Sequence, residues 1–200
     1  MTRPTSDIAF TPSVKALQTR HGSRTAYARM EVRGGFRQDL DDDAVAFIGA
    51  QRSVFLATAS ADGQPYIQHR GGPPGFLQVL GSRTLAFADY RGNKQFISIG
   101  NLADNPKVHL FLIDYAHRAR IKIWGTARVV EDPVAVAALD LQTIAEGAVV
   151  ERAIVIEIEA WDQNCPQHIP QRFEAEDVAR VLAEKDARIA ELERQLATRG

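Results

Sequence analysis

Six residues between two apolar runs, Asp89-Tyr90-Arg91-Gly92-Asn93-Lys94, set two cations beside a glycine where a strand gives way to a helix. Backbone N–H groups at such a junction lack partners, and together with Arg91 and Lys94 they suit a phosphate. An exposed polar turn has the same composition, so the neighbouring segments decide. Arg70 closes an earlier strand, and Arg118, Arg120 and Lys122 lie on a later one. Cations gathered on one region of a sheet repel each other unless an anion lies among them. Neither a Gly-x-Gly-x-x-Gly nor a P-loop pattern occurs, so this reading calls for a mononucleotide or a similar phosphate and not a dinucleotide.

Proton and thiol chemistry have three candidates. His69 stands beside Arg70, and an imidazole is the side chain best suited to exchanging a proton with a ligand; a hydrogen-bonded strand histidine has the same pattern. Cys165 and His168 are three apart in a proline-bounded loop, where a neighbouring imidazole can stabilise a thiolate. A lone cysteine is also an ordinary small hydrophobe. No His-x-x-x-His or acidic cluster completes a metal site around these three residues, and none is expected.

These residues need elements to carry them. Ser53–Ala59 is a short apolar run closed by Asp62-Gly63, a hairpin signal, with Gln64–Arg70 as its partner strand. After the breaker cluster Gly71-Gly72-Pro73-Pro74-Gly75, Phe76–Leu80 and Thr84–Ala88 form a second hairpin around Gly81-Ser82. Asn93–Leu102 reads as a short helix, Val108–Ile113 and Ala119–Val129 as strands, Pro133–Glu146 as an amphipathic helix and Ala153–Trp161 as the last strand. Before them, Phe10–Gln51 is helical in pattern, with Pro12 suited to a first turn and Asp41-Asp42-Asp43 complementing a helix dipole. Seven strands and a few small helices predict a mainly β protein, a closed or partly closed barrel with flanking helices. Beyond Glu174, Val178, Leu182, Lys185, Ile189, Leu192 and Leu196 alternate at spacings of four and three, the seam of a short coiled coil with one polar position. The expected division is an N-terminal helical segment over 1–42, a barrel over 43–173 and a coiled-coil-like C-terminal helix over 174–200.

Length and composition narrow the function classes. Two hundred residues suit one domain of about 150 residues with an appendage. Lys and Arg (24) nearly balance Asp and Glu (25), so no global field draws the chain to nucleic acid or an anionic membrane. The single cysteine cannot form an intrachain disulfide, no run approaches a membrane span, and Met1-Thr2-Arg3-Pro4 leads into no signal-like apolar stretch. A cytoplasmic protein is the expectation.

The chain resembles the pyridoxamine 5'-phosphate oxidase-like FMN-binding split barrels, over roughly Asp43 to Arg172. The resemblance is carried by Phe55–Tyr66, Leu85–Lys94, Asn101–Val108 and Arg120–Ala127, in that order and spacing. It is nearest to a flavin-nucleotide-binding branch marked by His69–Phe76 and Trp161–Ile169. The resemblance implies a homodimer with FMN at the subunit interface. It implies that Asn93 and Lys94 bind the FMN phosphate, with Arg91 beside them, and that the backbone at Phe87 and Ala88 borders the isoalloxazine ring. Gln68, His69 and Arg70 fall on the strand that carries a flavin-contacting arginine. Arg118 and Arg120, with Lys122, approximate polar positions ahead of the Val-x-Gly-like strand. Trp161, His168 and Arg172 are similar to late Trp, His and Arg positions. One departure stands out: Pro133–Glu146 has neither the arginine nor the serine with which the vitamin oxidases hold substrate phosphate, which argues against pyridoxamine phosphate oxidation itself. Two functions follow: an FMN-dependent oxidoreductase drawing on NAD(P)H or a reductase partner, with His69, His168 or Cys165 in catalysis, or a non-catalytic flavin carrier, sensor or electron-transfer partner. Haem or a deazaflavin in place of FMN is a third.

Overall fold

Alternation of apolar and polar side chains builds the sheet. In β1 (Ser53–Ala59) every second residue, Val54, Leu56 and Thr58, is buried, as the period of two demands. A computed structural model describes residues 3–141, 148–163 and 166–198. The remaining strands are β2 (Pro65–Gly71), β3 (Gln78–Gly81), β4 (Thr84–Tyr90), β5 (Lys107–Asp114), β6 (Ala119–Val130) and β7 (Val150–Gln163). They form one antiparallel sheet in the order β2-β1-β5-β6-β7-β4-β3. Two tight hairpins set its two ends, β1–β2 through Asp62-Gly63 with Gly63 at φ +90°, and β3–β4 through Ser82-Arg83.

The sheet is rolled around one core. Val54 and Leu56, Leu85 and Phe87, Val108 to Leu112, Ile121 and Ile123, and Ile154 to Ile158 supply a single cluster from five strands. Each fully buried aliphatic or aromatic side chain there contributes about 1.5–3 kcal/mol. β2 stands apart, because its inward positions are Tyr66, Gln68 and Arg70. The mainly β architecture with flanking helices is therefore as the sequence predicts, and all seven strands lie where expected within a few residues.

Helices close the sheet and mark where the expectations need correcting. In α1 (Pro12–Arg20), Pro12 opens the helix and the Thr11 hydroxyl accepts from the Val14 N–H; α2 (Arg24–Val32) follows, and in α3 (Asp42–Ala50) the Asp41 carboxylate accepts from the Ala44 N–H at 2.9 Å. The helix expected from Asn93 begins only at Ile97, as α4 (Ile97–Asp104), because Lys94 and Phe96 take left-handed backbone angles of φ +60° and +55°. The strand expected from Phe76 begins at Gln78, since Phe76 and Leu77 are buried in a turn held by Gly75 N–H to the Gly49 carbonyl. The helix expected over Pro133–Glu146 is the short α5 (Pro133–Ala138), ended before Asp140 at φ +47°; residues 142–146 lie outside the described residues.

Two compact units divide the chain: Met1–Ile113 with Arg120–Cys165, and Asp114–Ala119 with Pro166–Gly200. The N-terminal helices belong to the first. Phe10 packs edge-on against Phe36, Phe36 stacks on Trp124 at 5.2 Å, and the Trp161 N–H of the backbone donates to the Arg37 carbonyl. The second unit holds α6 (Ala175–Ala197) and a loop in which Arg172 lies 4.6 Å from the Tyr115 ring centre. Among the described residues no helix is long and apolar enough to cross a membrane.

Candidate functional site

The polar inner face of β2 meets the end of β4 across the rolled sheet. Arg70 lies 3.5 Å from the Asp89 carboxylate although their strands are not neighbours in the sheet order. On the other side of Asp89 is Arg152, its direct cross-strand partner on β7, donating at 3.3 Å. Asp89 is only 7% exposed. Burial pushes its carboxyl above the usual carboxylate range, and the two guanidinium groups oppose that shift by favouring the charged form. Arg152 is also held by Glu151 at 2.7 Å and Glu131 at 3.3 Å, and its guanidinium lies 5.1 Å from the Phe96 ring centre.

Two adjoining hollows open around this cluster, sharing Arg70, Asp89, Tyr90 and Gly92. The smaller, of about 90 Å³, is lined by Gln68, Asn93, Lys94, Gln95, Ser98 and Arg152 among others. The larger, of about 210 Å³, is lined by His69, Gly71, Phe76, Phe87, Ala88 and Arg91 with the shared residues. Together they reach the lower end of the roughly 300–1,000 Å³ typical of small-molecule sites. Two larger hollows, of about 330 and 370 Å³, lie elsewhere in the same unit and contain none of the clustered cations.

Local interactions explain how the walls are held. The Ser98 hydroxyl donates to the Gln68 side-chain oxygen at 3.0 Å, and Asn101 donates to the Thr58 hydroxyl at 2.9 Å, fixing α4 against β1 and β2. The Asn93 side-chain oxygen accepts from the Gln95 N–H at 3.2 Å, which with the left-handed Lys94 makes a sharp loop. Arg91 is engaged by Glu151 at 2.9 Å, whereas Lys94 makes no ion pair among the described residues. His69 shares a 2.7 Å hydrogen bond with the Ser53 hydroxyl and packs its ring edge against Phe55.

An anionic aromatic ligand fits this donor set. Arg70 Nε is buried without a hydrogen-bond partner, an orphaned donor on a cation at the centre of the cluster. Lys94 and the loop around it add a free positive charge at one end, and Phe87 and Ala88 offer an apolar strand surface at the other. FMN combines the same features, a phosphate and a flat ring with hydrogen-bonding edges, so the residues present are compatible with it.

The expected site residues divide into four groups. Gln68, His69, Arg70, Phe87, Ala88, Arg91, Asn93 and Lys94 all line the paired hollows. Arg120, Lys122 and Trp161 line neither, although they belong to the same unit. Lys122 is 3.7 Å from Asp162 and 5.5 Å from the Trp124 ring centre; Arg120 Nε is buried without a partner. Trp161 is a core side chain, 1% exposed, with its indole N–H donated to the Asp39 carbonyl at 3.0 Å and Arg37 stacked over its ring. Arg118 and His168 belong to the second unit, where Arg118 donates to Gln171 and His168 is exposed at φ +66°. Cys165 lies outside the described residues.

Asp89, Ser98 and Arg152 are site residues that the sequence pattern did not single out. Arg152 falls just ahead of the apolar run taken as the last strand, so its only signal was a cation at the mouth of a buried strand.

The model of the pyridoxamine 5'-phosphate oxidase family matches residues 40–165. Comparison with curated protein sequences finds no match. Among solved structures, a protein from Lactobacillus delbrueckii named for pyridoxamine 5'-phosphate oxidase is 23% identical, with a TM-score of 0.49 over 63% of this chain and 95% of its own. HupZ of Group A Streptococcus is 16% identical, with a TM-score of 0.49 over 67% of this chain and 99% of its own. A Clostridium acetobutylicum protein related to general stress protein 26, of the pyridoxinephosphate oxidase family, is 16% identical, with a TM-score of 0.47 over 70% and 99%.

Proposed function

The chain belongs to the pyridoxamine 5'-phosphate oxidase family, and from that premise we propose that it is an FMN-binding flavoprotein acting as an oxidoreductase, with FMN held at the paired hollows. The observation that carries this reading is the convergence of Arg70, Arg152 and the Gly92–Gln95 loop on one cleft, with Arg70 Nε buried and unpartnered. When bound, FMN supplies hydride or single-electron transfer. Lys94 and Asn93, with the N–H groups of their loop, hold the phosphate. Arg70 gives its orphaned N–H and its charge to the electron-rich edge of the ring, and Asp89 holds Arg70 and Arg152 together against their mutual repulsion. His69, which lines the larger hollow, exchanges a proton with the ligand through the nitrogen it now shares with Ser53. A second copy of the chain completes the cleft, as the small volume of the hollows in one copy suggests.

The test is direct. The purified protein is expected to be yellow or to quench FMN fluorescence on titration at micromolar concentration, and Lys94→Ala is expected to weaken binding. A charge-assisted phosphate contact is worth about 1.5–3 kcal/mol, or roughly 10- to 150-fold in Kd. A protein that binds no FMN, or one whose visible spectrum is that of haem, overturns the reading. Bleaching of the flavin by NADH or NADPH separates turnover from a carrier or sensor role, in which no pyridine nucleotide reduces it.

A further inference from the structure

The second compact unit carries a surface that the cleft does not use. Along the 23 residues of α6, Val178, Leu182, Ile189, Leu192 and Leu196 fall on one face, and each is more than 40% exposed; Leu182 and Leu196 reach 58% and 70%. With Lys185 they alternate at four and three residues, the seam of a heptad repeat in which Leu182, Ile189 and Leu196 take the a positions and Val178, Lys185 and Leu192 the d positions. A lone helix with its apolar stripe in water is marginal, and its stability comes from covering that stripe.

The flanking charges identify the cover. Arg188 occupies a g position and Glu193 the following e position, and these two meet across a parallel, in-register pair. In the same arrangement the d-position Lys185 packs beside the e-position Asp186 of the second helix. An antiparallel pair with full overlap of the seam instead sets Arg188 against Arg188 and Asp186 against Asp186. Slipping the parallel pair by one heptad sets one Lys185 against Val178 beside Ala179, with no carboxylate there, loses both Arg188–Glu193 pairs and leaves one heptad of each seam uncovered. Among the described residues the ion pairs within α6 run through Arg180 and Arg194, leaving Arg188 and Glu193 available for a second chain.

We propose that α6 pairs with α6 of a second copy of this chain as a parallel, in-register two-stranded coiled coil, with Lys185 fixing the register. The pairing is independent of what the cleft binds.

Disulfide trapping in the full-length chain reads it out. In a Cys165→Ser background, Ile189→Cys at an a position is expected to form a covalent dimer in a glutathione buffer. Ala187→Cys, at an f position, points away from the partner beyond the ~7 Å Cα separation that a disulfide spans and is expected to stay monomeric. Arg188→Glu is expected to lower trapping at position 189 about fivefold by turning two cross-helix attractions into repulsions, and Arg188→Glu with Glu193→Arg to restore it. Circular dichroism confirms that each variant keeps its helix. Equal trapping at 187 and 189, or none at 189, overturns the proposal. So does preferential trapping between a Leu182→Cys chain and a Leu192→Cys chain, the pair that an antiparallel arrangement brings together.

Discussion

Replacing Arg152 with methionine tests whether the cleft is organised around a buried acid. Met keeps an unbranched aliphatic stem and removes the guanidinium that donates to Asp89 at 3.3 Å and lies 5.1 Å from the Phe96 ring centre. Asp89, 7% exposed, is then left with Arg70 alone at 3.5 Å. Breaking a fully buried pair costs about 3–5 kcal/mol. Two features reduce that here, the surviving Arg70 and the hollow through which water reaches Asp89, so about 2–3 kcal/mol is expected. With a urea slope of about 2 kcal/mol per molar, the unfolding midpoint falls by roughly 1–1.5 M. Both tryptophans, Trp124 and Trp161, lie in the first compact unit, so intrinsic fluorescence follows its unfolding.

The pH dependence has a definite sign. Burial holds the Asp89 carboxyl above its ordinary value, so the folded state keeps its proton at pH values where the unfolded state has lost it. Unfolding free energy therefore falls as pH rises from the ordinary carboxylate pKa to the raised folded one, and is flat on either side of that window. Removing Arg152 raises the folded pKa further and extends the window upward. The penalty of Arg152→Met is thus expected to grow as pH rises through that window and to be relieved as pH falls below the ordinary carboxylate pKa. The double variant Asp89→Asn with Arg152→Met, which removes the stranded carboxylate but leaves Arg70 without its acid, is expected to recover part of the loss and to lose the pH dependence. An unchanged midpoint for Arg152→Met at neutral pH, or a double variant no more stable than the single one, refutes this account of the cleft.

Three further outcomes are expected. Trp161→Phe loses the indole N–H to the Asp39 carbonyl and should cost about 1–2 kcal/mol, lowering Tm by roughly 2–8 °C, while leaving FMN titration unchanged because the ring lines neither hollow. Gly125→Ala should destabilise by about 1–3 kcal/mol or more in thermal melts, since a Cβ there meets the Glu157 carbonyl oxygen at 2.2 Å, where the β6–β7 register shifts and neither backbone can move aside. Gly49→Ala, in α3 with nothing within 4 Å of the added carbon, should instead raise stability by about 0.4–1 kcal/mol, so the two alanine variants move Tm in opposite directions.

Which parts of the cleft could be read in advance follows from the range of the interactions that build it. Strands announce themselves locally, through alternation in Ser53–Ala59 and Ala119–Val130 and through Asp62-Gly63 between the first of these and its partner Pro65–Gly71. Capping is equally local, as at Asp41. Where an apolar run is buried without joining the sheet, local pattern misleads: Phe76 and Leu77 read as strand because they are in the core, yet the turn from Pro73 to Gly75 keeps them out of the ladder. The start of α4 misleads for a related reason, since two left-handed residues, Lys94 and Phe96 on either side of Gln95, interrupt a helical pattern that composition alone leaves unbroken.

Arg152 shows the limit more sharply. It matters because β4 and β7 pair in a register that sets it opposite Asp89, and that register is decided by the apolar ladder from Leu85–Ile156 to Ala88–Ala153, more than sixty residues apart in the chain. Arg70 depends on something less local still, the rolling of the sheet, which brings the end of β2, at one edge, to Asp89 near the other. The cations in β2 and the Gly92–Lys94 loop could be found as cations, but the acid that the roll places between Arg70 and Arg152 could not, nor the burial that leaves Arg70 Nε without a partner. Of the six expected cations, Arg70, Arg91 and Lys94 line the paired hollows and Arg118, Arg120 and Lys122 do not. Charges on β2 and β4 converge because the sheet curls inward there, whereas Lys122 alternates with the buried Ile121 and Ile123 on β6 and takes the other face.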